Sequence, residues 1–105
     1  NIQMPTRVLE LDNMLTEDDL KNDEEYEDIC EDIKEECSKY GNLEEVYIPR
    51  HAAPGEPETK GVGKVYLKYS KPEETARAYA SMMGRKFGGR PVGAKYVEEE
   101  KFASR

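Results

Sequence analysis

Gly63-Lys64-Val65-Tyr66-Leu67-Lys68-Tyr69 alternates between two kinds of side chain along its whole length. In a strand, successive side chains leave opposite faces, so Val65, Leu67 and Tyr69 go inward while Lys64, Tyr66 and Lys68 go outward. Working back along the chain, Glu45-Val46-Tyr47-Ile48 repeats the pattern with Val46 and Ile48 inward, and Pro49 stops it. Further back, Arg7-Val8-Leu9-Glu10-Leu11-Asp12 places Leu9 and Leu11 inward and Glu10 outward. A fourth strand is expected from Arg90 to Val97.

Between the strands the period changes. Tyr26, Ile29, Cys30, Ile33, Cys37 and Tyr40 recur at i, i+3, i+4 and i+7, one stripe of a helix from about Asp23 to Tyr40. Gly41 is expected as its left-handed terminator. Thr16-Glu17-Asp18-Asp19 has capping-box spacing and opens a short helical turn. Ser70-Lys71-Pro72-Glu73 is expected to cap a second long helix, with Ala76, Tyr79, Ala80 and Met83 on one face and an end at Gly84. His51 to Lys60 carries two prolines and a glycine without periodicity and reads as a mobile loop. Glu98-Glu99-Glu100-Lys101-Phe102 reads as a short final helix, and Phe102 is a candidate to fold back over the sheet. The order is β-α-β-β-α-β. Right-handed crossovers make this an α+β, ferredoxin-like fold: a four-stranded antiparallel sheet with both helices on one face.

At 105 residues the chain is one domain, expected over 5–105 behind a flanking segment at 1–4. Its net charge is -7, and between Glu17 and Glu36 twelve acidic residues face two lysines. Such a field repels phosphate and attracts a cationic partner. Cys30 and Cys37 share a helix face two turns apart, about 10 Å, too far for a disulfide. With one histidine, His51, and no CxxC pair, no metal or cofactor is expected. The thiols suit a reducing compartment. No apolar run reaches membrane-spanning length and the start is not a signal peptide, so a domain of a longer intracellular protein is expected. No nucleophile stands beside a base, and enzymatic activity is not expected.

Leu9-Glu10-Leu11-Asp12-Asn13-Met14 and Val62-Gly63-Lys64-Val65-Tyr66-Leu67-Lys68-Tyr69 fall where the RNA recognition motif keeps its two signatures, and the chain resembles that family. In the family, outward aromatic rings stack on unpaired bases. The resemblance maps those platform positions onto Glu10, Lys64 and Tyr66, of which only Tyr66 keeps a ring. Stacking contributes about 1–3 kcal/mol per base, so most of that anchoring is gone. Single-stranded RNA on the sheet face remains the alternative reading; RNA binding is not expected to be the main role.

Two further features belong together. Asp28, Asp32 and Glu36 recur at i, i+4 and i+8, a carboxylate rail beside the apolar stripe, where like charges repel by roughly a few tenths of a kcal/mol per pair. Taken alone, a solvated face explains it. Gly84-Arg85-Lys86-Phe87-Gly88-Gly89-Arg90, however, sets an Arg-x-Phe sequence in a glycine-rich loop. With the acidic helix, and with Asp23-Glu24-Glu25-Tyr26-Glu27, Glu36-Cys37-Ser38-Lys39-Tyr40-Gly41 and Ile48-Pro49-Arg50, the chain resembles the U2 auxiliary factor homology motif. This is a protein-binding variant of the RNA recognition motif, and the resemblance runs from about Pro5 to Phe102.

That resemblance implies a nuclear pre-mRNA splicing module. Its ligand would be a linear motif with a basic run followed by a tryptophan. The carriers would be branch-point-binding splicing factor one or a splicing factor three-b subunit. Phe87 would stack on the tryptophan, and Arg85, held by Glu36, would cover it from another side. Asp28, Asp32 and Glu25 would pair with the ligand's cations, and Lys86 occupies the variable position of the loop. From their positions alone, Ile29, Ile33 and Met83 are the expected pocket floor. A monomeric domain is expected.

Overall fold

The computed structural model describes residues 4–105. The flanking segment expected at 1–4 therefore lies outside the described residues except for Met4, which is exposed. In chain order the elements are β1 (Val8–Asp12), α1 (Glu17–Lys21), α2 (Asp23–Cys37), a 3-10 turn (Ser38–Tyr40), β2 (Leu43–Tyr47), β3 (Val65–Tyr69), α3 (Pro72–Met82), β4 (Lys86–Phe87), β5 (Arg90–Pro91), β6 (Gly93–Val97) and α4 (Glu99–Ala103).

β2, β3, β1 and β6 form an antiparallel sheet in that order. Leu9 stands opposite Leu67 and Tyr96, and Leu11 opposite Val65 and Ala94. This register puts the apolar set of each strand on one face, where it meets Ile33 and Cys37 of α2 and Ala78 and Met82 of α3. Val65, Leu67 and Tyr69 are all fully buried, as their alternation requires. Each such aliphatic side chain stabilises the fold by about 1.5–3 kcal/mol. The Tyr69 hydroxyl, deep in this core, donates to the Cys37 carbonyl at 2.8 Å. Burial pushes the Cys37 thiol up to about 12, and both cysteines are free thiols.

Several local expectations are corrected. The buried face of α3 is Thr75, Ala78 and Met82, each one residue before Ala76, Tyr79 and Met83 of the expected set; of that set, which also held Ala80, only Tyr79 packs against the core. Both sets satisfy helical spacing. Thr75 is buried at no polar cost because its hydroxyl donates to the Lys71 carbonyl at 3.4 Å. Glu74, rather than Glu73, closes the helix start: its carboxylate accepts from the Lys71 amide at 3.2 Å and the Ser70 hydroxyl at 2.6 Å. Gly41 is extended, with φ 162°, and not left-handed. It is a contact residue, since a Cβ there would lie 2.5 Å from the Glu74 side chain. The expected fourth strand is interrupted: its first residues pair back on β4 as a separate hairpin, and β6 alone joins the sheet.

The elbow between α1 and α2 is tied to the end of β2. The Arg50 guanidinium donates to the Leu20 carbonyl at 2.9 and 2.5 Å, pairs with Asp23 at 2.9 Å and lies 4.3 Å from the Tyr26 ring centre. The Tyr26 hydroxyl donates to the Ile48 carbonyl at 2.6 Å. Along β2 the register against β3 shifts between Leu43 and Glu45, leaving Glu44 as an extra residue that accepts from Arg7 at 2.6 Å.

The loop following β2 carries His51 between two carboxylates, Glu17 at 3.0 Å and Glu58 at 3.1 Å. Hydrogen bonding to Glu58, then to Glu17, raises its pKa above the ordinary 6.5. Folding thus favours the imidazolium. The resulting stability is fully present below the unfolded pKa and is lost as pH rises through the folded one. Following the His51 ring protons by NMR should give a midpoint above 6.5, which falls in Glu58→Gln. A midpoint indifferent to that change would mean the ring is free of the clasp.

Candidate functional site

The Arg85–Phe87 segment is held by backbone bonds at both ends. The Arg85 amide donates to the Met82 carbonyl at 3.1 Å, and the Val92 amide donates to the Arg85 carbonyl at 2.8 Å. Between them, β4 pairs with β5 through Phe87 opposite Arg90. The connecting Gly88 and Gly89 have φ of 60° and 81°. Two successive positive φ angles match the strand-compatible two-residue hairpin turn, a geometry that side chains resist. The hairpin fixes Phe87 at the surface, 39% exposed.

A cavity of about 290 Å³ lies between this hairpin and α2. Its apolar lining comes from Met14, Ile33, Cys37, Met82 and Val92, all nearly or fully buried, with the Phe87 ring at the edge. Asp32, Glu35 and Glu36 line the α2 side, and Lys39 and Arg85 complete the rim. Met14 is brought here by Asn13, whose φ is 68° and whose side-chain amide donates to the Pro91 carbonyl at 3.0 Å.

One ionic knot joins the two sides. Arg85 Nη1 lies 3.2 Å from Glu36 Oε2, and Lys39 Nζ lies 2.9 Å from Glu36 Oε1. The Tyr40 hydroxyl donates to Glu36 Oε2 at 3.2 Å. Together Lys39, Arg85 and Tyr40, in that order, hold the Glu36 carboxyl below the usual carboxylate range.

The structure gathers only part of the expected set. Asp32, Ile33, Glu36, Arg85 and Phe87 line the cavity; Glu25, Asp28, Ile29, Met83 and Lys86 do not. Asp28 and Glu25 continue the exposed carboxylate rail toward the start of α2, and Lys86 is exposed on the hairpin. Ile29 packs partly against the core instead. Met83 is 49% exposed and Met82 takes the floor position, the consequence of the one-residue offset in α3. As lining residues the sequence reading misses Met14, Cys37, Met82, Val92, Glu35 and Lys39. The last two share the helix and its terminal turn with Asp32 and Glu36 and are within reach of a wheel argument, whereas Met14 and Val92 arrive by tertiary contact alone.

The opposite sheet face carries Glu10, Lys64 and Tyr66, and α4 covers part of it. Glu10 is outward as expected, yet only 6% exposed. Its carboxylate is flanked by Lys64 at 3.4 Å and Lys95 at 3.5 Å, and Lys64 also pairs with Asp12 at 2.8 Å. α4 lays Phe102 against this face, 6.0 Å from the Tyr66 ring and 6.3 Å from Tyr47. Arg105 caps the Phe102 ring at 3.9 Å and pairs with Glu45. A larger hollow of about 570 Å³ remains between α4 and this face, lined among others by Glu10, Tyr47, Tyr66 and Phe102.

Among the described residues no three His, Cys, Asp or Glu side chains are grouped to hold a metal ion. No helix there is long and apolar enough to cross a membrane.

The RNA recognition motif profile matches residues 30–93. The B form of the U2af large-subunit splicing factor from Triticum aestivum is 52% identical over 100 residues, 95% of this chain and 18% of that protein. The A form of the same splicing factor from Arabidopsis thaliana is 50% identical over 97 residues, 92% of this chain and 17% of that protein. The chain thus spans less than a fifth of the length of these curated relatives. The solved structure of the RNA15 RRM superposes with a TM-score of 0.59 at 20% identity, covering 94% of this chain and 98% of that one, a likeness of fold.

Proposed function

The chain belongs to the RNA recognition motif family, and we propose that it is a peptide-binding variant of that family, a U2 auxiliary factor homology motif. Its ligand is a linear segment rich in Lys and Arg that carries one tryptophan. The observation behind this reading is the cavity between α2 and the β4–β5 hairpin, apolar at its base, acidic along one side and edged by a part-exposed Phe87.

The dimensions and charges favour such a ligand. A hollow of about 290 Å³ sits at the lower edge of the about 300–1,000 Å³ typical of ligand pockets and has room for one large side chain. An indole buries about 150–250 Å² and contributes roughly 4–6 kcal/mol before ordering costs. Those costs leave micromolar-scale affinity for a flexible peptide. Asp32 and Glu35 at the rim, then Asp28 and Glu25 along α2, offer solvent-facing partners to the flanking cations. Such pairs are individually weak, but they steer the encounter and set register.

Similarity to U2af large-subunit splicing factors supports a role in pre-mRNA splicing in the nucleus. Splicing factor one and a splicing factor three-b subunit are the partners we propose, with residues 5–105 as a monomeric module. The sheet face is a poor RNA platform for a physical reason: the ring left at Tyr66 packs against Phe102, and a carboxylate stands beside it.

Calorimetric titration with a basic peptide containing one tryptophan should give salt-sensitive binding that is lost when the tryptophan becomes alanine. Affinity undiminished in the Phe87→Ala, Asp32→Lys double variant would overturn the assignment. Steeply salt-dependent RNA affinity abolished by Tyr66→Ala would instead favour the sheet face.

A further inference from the structure

We propose that Tyr40 is a positioning residue that holds the Glu36–Arg85 pair in the arrangement that shapes the cavity mouth. This deepens the peptide-binding reading above and rests on it for its consequence, though the positioning itself is a property of the free protein.

Glu36 and Arg85 are solvent-facing, with side chains 33% and 49% exposed. An exposed ion pair of this kind has little power to fix geometry, because screening and side-chain entropy offset its attraction. Lys39 also competes for the same carboxylate from the solvent side, 2.9 Å away and 65% exposed. On charge alone, Arg85 is free to leave.

Tyr40 differs from both. It sits in the 3-10 turn after α2, where its ring packs against the core cluster. From that anchored ring the hydroxyl reaches three groups of the site: Glu36 Oε2 at 3.2 Å, Arg85 Nη1 at 3.5 Å and Met82 Sδ at 3.9 Å. Arg85 Nη1 lies 3.8 Å from the same sulfur. The phenol donates to the carboxylate and accepts from the guanidinium, so one hydroxyl bridges both members of the pair. Because Tyr40 is attached to α2 and Arg85 to the hairpin, the bridge spans the two walls of the cavity. Lys39, on a flexible stem in solvent, offers no comparable fixed point.

Tyr40→Phe keeps the ring and removes only the bridge. Two measurements decide the matter. In the free protein, the Arg85 Nε–H should lose order in ¹⁵N relaxation when Tyr40 becomes Phe, with the melting temperature little changed. With the basic tryptophan peptide, Tyr40→Phe should weaken binding about three- to tenfold, the scale of one net hydrogen bond. That penalty should vanish in an Arg85→Ala background, because Tyr40 acts through Arg85. Unchanged Arg85 order, or a penalty that persists without Arg85, overturns the proposal. If the parent protein binds no such peptide, the functional reading fails, while Arg85 relaxation still judges Tyr40.

Discussion

Replacing Phe87 with alanine is expected to lower the affinity for a basic tryptophan peptide about thirtyfold or more, the size of a hot-spot loss, and to leave thermal stability nearly unchanged. The separation of the two effects follows from where the ring sits. At 39% exposure it contributes little to the core, and the hairpin beneath it is held by backbone bonds of Arg85 and Val92 that the substitution does not touch. In the proposed complex, by contrast, the ring at the cavity edge would be the aromatic surface for an indole to stack on. Aromatic pairs contribute about 0.5–1.5 kcal/mol beyond the area they bury, and removing the ring also reopens the buried indole to water. Calorimetry for affinity and a thermal melt for stability separate the outcomes. A variant that binds like the parent, or one that loses affinity only because it unfolds, would count against Phe87 as a ligand-facing ring.

The second large effect is expected at the other end of the chain. Phe102→Ala should cost about 3 kcal/mol of stability, at the low end of phenylalanine truncations in cores, even though α4 has only five residues. The side chain is 4% exposed and touches Tyr47, Tyr66 and the Arg105 guanidinium. Without it α4 has no other buried residue and keeps only the exposed Arg7–Glu99 pair, so the helix is expected to undock as a unit and take the Arg105–Glu45 pair with it. Urea denaturation should show a lower midpoint, and amide exchange should accelerate across α4 while β3 stays protected. A midpoint equal to that of the parent would show that α4 contributes nothing by lying on the sheet.

The sheet was readable because its inward residues carry a period that only a strand satisfies: Leu9 and Leu11, then Val65, Leu67 and Tyr69, all fully buried. The stripe on α2 was equally plain. α3 was not, since Thr75, Ala78 and Met82 compete with an equally spaced set whose members look more apolar, and only packing decides between them. The Arg-x-Phe sequence announced itself, but the hairpin that presents it has two-residue strands, too short for any period to register. Half of the cavity lining was legible for the same reason that the other half was not: Asp32, Ile33 and Glu36 lie on one helix face, whereas Met14 and Val92 are supplied by segments remote in sequence. Gly41 shows a further limit. A glycine after a helix reads as a terminator, while here its missing Cβ makes room for Glu74.

The surplus residue in β2 has a bearing on crowding. An outermost strand offers unpaired amides and carbonyls to any neighbouring molecule, and a flat, regular one invites a fifth ribbon to add on. Glu44 interrupts the regular spacing of those groups, while its carboxylate and that of Glu45 are already paired with Arg7 and Arg105. A copy of the chain approaching along this border would find its hydrogen-bonding ladder out of step. At high concentration the kink in the main chain therefore works against sheet-to-sheet aggregation on this side without a covering element.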